Sequence, residues 1–461
     1  MTTPTPDDDR PAQPAPRPKR RRRFRRVVRI TLSVVGVVLA LAWWKVLNVI
    51  EHNHWPPPDD AVTPEQAQAV TEAFARRDDP LRDDAAIAYA PSTASDVRLF
   101  IDGTQFFPAM LDDINAARTS VHIMIFTFAP DEWGTRFADA LIAKAQSGVE
   151  VRLSVDRYGA KVYDTSEALF DRMSAAGVQV VVNDVFPFQA TGLMPDRDWT
   201  WRQDEIGQVD HRKMLVIDGI TGWVGGGGFE DHFANGEFHD VFVRVQGNVV
   251  RQMQAIFLTS FRAYGGPVSG EPGSLAAYFP APADPGTIRA TLLQNIPGGF
   301  LPGTQASRAT IEQATGTLDI MNPYLTDPGI IDRIVDAGKR GVKVRVLVSA
   351  KSNNAQGDAA LRHEYGRLQD AGVEIWEFPA IMHAKVTVAD DTAIIGTINY
   401  DAWALYRNLE IALMFEDATV ADDVRATYIE PDVARSQPGQ APDDLDVRVK
   451  NWIWNKLAYF L

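Results

Sequence analysis

"DHRKMLVIDGITGWVGGGGFED", Asp210 to Asp231, and "MHAKVTVADDTAIIGTINYD", Met382 to Asp401, are the stretches whose reading decides the fold. Each sets a histidine and a lysine two apart, an aspartate five residues after the lysine, and a segment opening on glycine beyond that. Alternation of side chains along a strand puts His211 with Lys213, and His383 with Lys385, on one face. Asp218 and Asp390 have the opposite parity and fall at the strand end, where they suit bracing a turn. Val216 and Val388 share the aspartates' face and should pack inward.

Upstream of each stretch the chain repeats itself. "FADALIAKAQSGVEVRLSVD", from Phe137, parallels "IIDRIVDAGKRGVKVRVLVS", from Ile330. "LFDRMSAAGVQVVV", from Leu169, parallels "YGRLQDAGVEIWEF", from Tyr365. In all four, apolar residues at helical spacing lead to a glycine and then to a β-rich run. Gly148 and Gly341 lie 193 positions apart and the two histidines 172, so the first copy carries an insertion, within Phe186 to Val209. The Pro- and Gly-rich stretch from Gly265 to Gly286 reads as the connection between copies. Alternating helices and strands predict two α/β sandwich halves. Packed about a pseudo-twofold, they bring the two His-x-Lys segments into one site.

Two imidazoles facing two ammonium groups suit phosphodiester chemistry. The lysines neutralise the non-bridging oxygens. One neutral imidazole attacks phosphorus, and the other hands a proton to the leaving alcohol and takes one from the incoming hydroxyl. Histidine titrates near neutrality, so it serves both roles. The lysines supply the positive charge, so no metal and no cofactor is expected. The segments Gly225–Gly228 and Gly396–Asn399 allow a phosphate close to the backbone, and Asn399 adds an amide donor.

Paired His-x-Lys-x4-Asp motifs are the mark of the phospholipase D superfamily, which this sequence resembles. From about Val97 to about Ser436 it is most similar to the bacterial cardiolipin synthases. "LFIDGTQFFPAMLDDINAARTSVHIMIF", "HRKMLVIDG" and "NPYLTDPGIIDRIVDAGKRGVKVRVLV" carry that likeness. The resemblance implies a catalytic set of His211, Lys213, Asp218, His383, Lys385 and Asp390, with His211 the nucleophile. It implies that Glu410, in "NLEIALMF", and Asp240, in "FHDVFVRV", orient histidines. Where the family pattern has Asn, this chain has Gly228, and Thr397 stands where Ser or Gly is common.

The implied activity is a phosphatidyltransferase acting on phosphatidylglycerol through a phosphohistidine. A hydrolytic phospholipase D differs only in which hydroxyl reaches the intermediate. A nuclease is disfavoured because the body is acidic. Residues 1–26 hold nine basic and three acidic residues, leaving 37 basic and 57 acidic in the rest, a net of −20. Such a body repels a nucleic-acid backbone, and no nucleic-acid partner is expected. A chain with both motifs completes one site by itself, so a monomer is expected.

The implied organisation has a disordered basic tail at 1–26 and a membrane segment at 27–50. A juxtamembrane linker at 51–95, halves at 96–264 and 287–436 joined by 265–286, and a tail at 437–461 follow. The uninterrupted apolar run, Ile30 to Trp44, would span ~23 Å as a helix, short of the ~30 Å hydrocarbon core. Arg29 and Lys45 can snorkel, and Trp43 and Trp44 suit the interface. Ala40 and Ala42 leave a cleaved signal peptide open as the alternative. Either way the basic cluster stays cytoplasmic and the body lies across the membrane, so a single-pass plasma-membrane protein with an extracytoplasmic body is expected. The tail "NWIWNKLAYFL" reads as a docked terminal helix or as a segment at the membrane interface. His122 reads as a core residue; His232, His239 and His363 carry no assignment.

Overall fold

The computed structural model describes residues 92–163, 166–183, 209–268, 275–296 and 301–458, together with Ser33, Gly36 and Val37, which are helical. The insertion at 186–208, most of the run 27–50 and most of the linker 51–95 lie outside the described residues. No helix among the described residues is long and apolar enough to cross a membrane. The chain divides into two units, Met1–Asp59 and Asp60–Leu461, and the second holds both motifs.

That unit is built on two sheets of matching topology. The first runs Asp96–Ile101, Val241–Gln246, Thr221–Gly225, Met214–Ile217, Ser120–Ile125, Glu150–Asp156, Gln179–Asn183. Seven strands of the second repeat this order: Ile288–Asn295, Glu410–Glu416, Thr392–Gly396, Lys385–Ala389, Thr317–Met321, Lys343–Ser349, Glu374–Phe378. In each, the last three strands are parallel and the others antiparallel. The parallel strands are joined by helices that begin on an aspartate or asparagine cap where one is described. Asp131 accepts from Gly134 N at 2.9 Å and Asp327 from Ile330 N at 2.8 Å. Such a cap satisfies an otherwise unpaired backbone donor. Two of these helices stop at Gly148 and Gly341, at φ 91° and 89°, a left-handed turn that glycine adopts without strain.

Two further strands lie at the edges of the second sheet. Ser92–Ala94, which the sequence reading assigns to the linker, pairs with Ile288–Asn295. Gln437–Pro438, assigned to the tail, pairs with Glu374–Phe378. Residues 275–278 form a short turn in the connection between halves, and Tyr278 donates to Glu150 Oε2 at 2.7 Å. The connection therefore packs back on the first half. The terminal helix Leu445–Lys456 docks on Ala355–Asp370, where Asn455 donates to Glu364 Oε1 at 2.9 Å.

One apolar core joins the inner faces of both sheets. Met214, Val216, Val224 and Val243 of the first meet Val386, Val388, Ile395, Ile411 and Leu413 of the second, with helix Val249–Ala263. Each such fully buried side chain contributes roughly 1.5–3 kcal/mol. A separate aromatic core, including Phe106, Phe107, Phe137 and Phe229, underlies the outer helices of the first half. His122 is buried, with Gln254 Nε2 2.8 Å from its Nδ1 and Phe257 stacked on its ring.

Candidate active site

Both histidines sit just outside regular strands. Met214–Ile217 begins after Lys213, and His383 lies between the short strand Ile381–Met382 and Lys385–Ala389. The reason is a change of partner. Before each strand joins its own sheet, the chain pairs with the other half. His211 N donates to Leu409 O at 2.9 Å, and His383 N donates to His239 O at 2.8 Å. Asp210 bridges Leu409 in parallel, and Ile381–Met382 pairs in parallel with Phe238–His239.

Those partners immediately precede two carboxylates. Glu410, one residue after Leu409, has its oxygens 3.0 and 3.1 Å from His211 Nδ1. Asp240, one residue after His239, lies 2.7 Å from His383 Nδ1. Each histidine is thus oriented by a carboxylate of the opposite half. With Nδ1 occupied, Nε2 of His211 remains for chemistry, while Nε2 of His383 lies 3.1 Å from Lys385 Nζ. Both carboxylates are fully buried, while the histidine side chains keep 13% and 12% of their surface.

The lysines lie beneath. Lys213 Nζ donates to His211 O at 2.8 Å, and Lys385 Nζ donates to His383 O. The edge of Phe126 meets His211 at 5.0 Å between ring centres, and Phe233 and Phe238 flank His383 at 5.4 and 5.5 Å. These rings wall one side of each imidazole.

Burial governs the charges. It lowers Lys213 to about 7 and Lys385 to about 8, against the attraction of Glu410 and Asp240. Burial, then the two ammonium groups, holds His211 well below its ordinary value. Burial and Lys385 bring His383 to about 3, with Asp240 opposing. An anion between the lysines would reverse their influence and favour both protonated lysine and protonated His383.

The two carboxylates differ. Burial raises Glu410 to about 8, with Lys213 opposing. Burial also works against ionisation of Asp240, but the His383 hydrogen bond and the charges of His383 and Lys385 outweigh it and keep Asp240 below the usual range. At neutral pH His383 therefore faces an anion, while His211 faces a largely protonated acid.

Asp218 and Asp390 are engaged elsewhere. Asp218 accepts from the backbone N–H groups of Arg118, Thr119 and Ser120. Asp390 accepts from those of Thr315, Gly316 and Thr317. Each stitches its turn to the loop entering the neighbouring strand, from φ 54° and 46°. This is the bracing position their parity indicates, and it gives neither carboxylate a contact with a motif histidine.

The two departures from the family pattern sit in different surroundings, one crowded and one hydrogen-bonded. A Cβ on Gly228 would lie 2.1 Å from Thr127 Oγ1 and 2.4 Å from Glu230 Oε2. The Thr127–Glu230 hydrogen bond, 2.6 Å, occupies that space. A Cβ on Gly226 would meet both Asp240 oxygens at 2.6 Å. In the second half the position before Asn399 by two is Thr397, whose hydroxyl donates to Glu410. Asn399 is buried, and its Oδ1 has no protein partner. Phe126, Phe233 and Phe238 escape sequence reasoning because nothing in their local pattern marks them, and Thr397, marked in the sequence only as a departure, gives no sign there of its bond to Glu410.

The family model described as "Cardiolipin synthase, PLD-like domain" matches residues 110–260 and 308–430. The minor cardiolipin synthase ClsB of Bacillus subtilis is 29% identical over 398 residues, covering 81% of this chain and 92% of the relative. Cardiolipin synthase 2 of Bacillus anthracis is 28% identical over 338 residues, 71% of this chain and 62% of that protein. The crystal structure of phosphatidylserine synthase from Haemophilus influenzae superposes with a TM-score of 0.62, covering 83% of this chain and all of that one, at 12% identity. That last likeness establishes a shared fold.

Proposed function

The chain belongs to the cardiolipin synthase, PLD-like domain family, and from that premise we propose a phosphatidyltransferase that condenses phosphatidylglycerol into cardiolipin. The observation that carries the reading is the crossed pairing: His211 held by Glu410 and His383 held by Asp240, above two buried lysines.

His211 Nε2 attacks the phosphodiester phosphorus, the bond to the head-group glycerol oxygen breaks, and His383 protonates that oxygen. Glycerol leaves, and a phosphatidyl group remains on His211. A hydroxyl of a second phosphatidylglycerol then gives its proton to His383 and attacks phosphorus, releasing cardiolipin and neutral His211. Lys213 and Lys385 hold the non-bridging oxygens throughout. The unequal carboxylates support this division. Ionised Asp240 stabilises the imidazolium that an acid requires, while Glu410 leaves His211 neutral for attack. We assign Asn399 a supporting role at the phosphate, through its amide donor.

The partner is a phospholipid membrane, the enzyme works as a monomer, and no nucleic acid takes part. The run 27–50 is the single-pass anchor, with the body extracytoplasmic. The terminal helix supports contact with the lipid surface. It turns Asn451 and Asn455 to the body and leaves Leu445, Val447, Val449, Trp452 and Ile453 exposed, with Arg448, Lys450 and Lys456 beside them. Asp444 and Asp446 stand at its start, and the apolar and aromatic residues with basic ones over the rest of the helix suit the interfacial layer.

The test uses full-length protein in detergent micelles with phosphatidylglycerol labelled in its acyl chains, products resolved by mass. Cardiolipin with released glycerol is the expected result. Phosphatidic acid without cardiolipin would replace the transferase by a hydrolase.

A further inference from the structure

His239 was given no role by its sequence, yet it is buried at the junction of the halves. Its Nδ1 lies 2.7 Å from Asp102 Oδ1 and its Nε2 2.7 Å from Asp432 Oδ2. Both ring nitrogens face carboxylates, so both donate and the ring is an imidazolium. It is stacked on Phe378 at 4.4 Å, with Tyr428 at 5.3 Å. Asp102 belongs to the first half, and Asp432, Phe378 and Tyr428 to the second.

Of these residues Asp102 also grips Asp240. Asp102 N donates to Asp240 O at 2.9 Å, and Asp240 N to Asp102 Oδ1 at 3.3 Å. The carbonyl of His239 accepts from His383 N. His239 is therefore fastened by its ring to both halves and by its backbone to His383, while its neighbour Asp240 holds His383 Nδ1.

The other half of the pseudo-twofold has no such device. The residue that accepts from His211 N and precedes Glu410 is Leu409, fully buried and apolar. Equivalent positions thus carry a charged pin on the His383 side and a plain packing residue on the His211 side.

We propose that His239 is a positioning residue which, clamped between Asp102 and Asp432, fixes Asp240 and so the angle and protonation of His383. This rests on the phosphohistidine reading, in which His383 transfers two protons and must return to one geometry after each. His211 attacks once per cycle and needs only a free Nε2. The asymmetry of the clamp follows the asymmetry of the work.

The experiment compares two substrates in wild type, His239→Leu and Asp432→Asn. Phosphatidylglycerol has a glycerol leaving group that needs a proton from His383. Phosphatidyl-p-nitrophenol has a leaving group acidic enough to depart without one. In His239→Leu, kcat on phosphatidylglycerol should fall ~30- to 100-fold with KM unchanged, at or just below the lower end of the ~100- to 10,000-fold that general acid–base catalysis contributes, because the acid is displaced and not removed. The initial burst of p-nitrophenolate should fall less than ~5-fold and be followed by stalled, labelled phosphoenzyme. His383→Ala should give the same pattern. Asp432→Asn still accepts from Nε2 and should lose less than ~5-fold.

Equal losses on both substrates, or no loss on phosphatidylglycerol, would overturn the proposal and leave His239 as packing. Should His239→Leu fail to fold around its unpaired carboxylate, the double variant His239→Leu/Asp432→Leu carries the same comparison. A wild type that releases p-nitrophenolate without any phosphohistidine would instead sink the mechanism itself, and this proposal with it.

Discussion

Asp240 stands 2.7 Å from Nδ1 of His383, a residue 143 positions further along the chain and in the other half of the molecule. Glu410 reaches back in the same way to His211. Neither half holds both a motif histidine and its carboxylate, and this crossing sets the outcome of mutagenesis.

His211→Ala and His383→Ala should each reduce turnover of phosphatidylglycerol by at least ~1,000-fold, because each removes one of two obligatory roles. Labelled phosphoenzyme should accumulate slowly in His383→Ala and never in His211→Ala. Substantial activity in either single variant would mean two independent sites, and label on His383 would reverse the roles.

The carboxylates should respond unequally. Asp240 is ionised beside His383, so Asp240→Asn removes a charge and should lower kcat ~100-fold or more. Burial keeps Glu410 protonated below about pH 8, so Glu410→Gln resembles the working state and should cost only ~10-fold near pH 6.5. Steady-state kinetics at that pH decide it, and equal losses would contradict the assigned difference in charge.

Asp218→Ala and Asp390→Ala should act on stability. Each loses several hydrogen bonds from a loop and places alanine at positive φ, together about 2–3 kcal/mol by denaturant unfolding. Three backbone donors outweigh burial and bring Asp390 to about 2. Its folded value lies below its unfolded one, so its stabilisation is present above about pH 4 and fades as pH falls through about 2. A folded, thermally unaltered but inactive Asp390→Ala would require a direct part in the chemistry.

The clamp at His239 should appear in alkaline stability. Burial acts to lower the ring, but the hydrogen bonds and charges of Asp102 and Asp432 prevail and raise it to about 9. Its other close neighbours are Arg435, which faces Asp432, and Tyr428, which burial keeps protonated. A folded value above the unfolded one gives stability that is complete below about pH 6.5 and lost as pH rises through about 9. Burial holds Asp432 above the usual carboxylate range, which offsets part of the gain. Melting temperature should decline between pH 7 and 10 in wild type and less in His239→Leu/Asp432→Leu; parallel curves would remove the imidazolium from the account.

The chain lacks cysteine, so a single Ile453→Cys accepts one spin label without background. In full-length protein reconstituted into lipid nanodiscs, relaxation by oxygen should exceed relaxation by a water-soluble nickel complex. The reverse order would keep the terminal helix out of the lipid, and dipolar broadening between labels would make its apolar face a contact between copies.

Much was legible in the one-dimensional pattern. Helix, glycine and strand recur at matched spacing, and a strand's period of two separates His211 and Lys213 from Val216 and Asp218. These are local rules of backbone geometry, and they determined the α/β halves, the paired motifs and the inward valines. The edge strands Ser92–Ala94 and Gln437–Pro438 were illegible, because a few residues at a sheet margin form a strand only when a partner edge is waiting.

What the tertiary structure alone decided is which residue serves which. Asp240 and Glu410 read alike in sequence, each before a β-rich run, and nothing local says that each crosses to the other half's histidine. Nor does "FHD" distinguish a spare histidine from one clamped between carboxylates 137 positions before Asp240's neighbour and 193 positions after it. Charge depends on burial and on what stands opposite, and both are products of packing. The sequence therefore determined the groups proposed to react, and the fold decided their partners, their charges and the asymmetry between them.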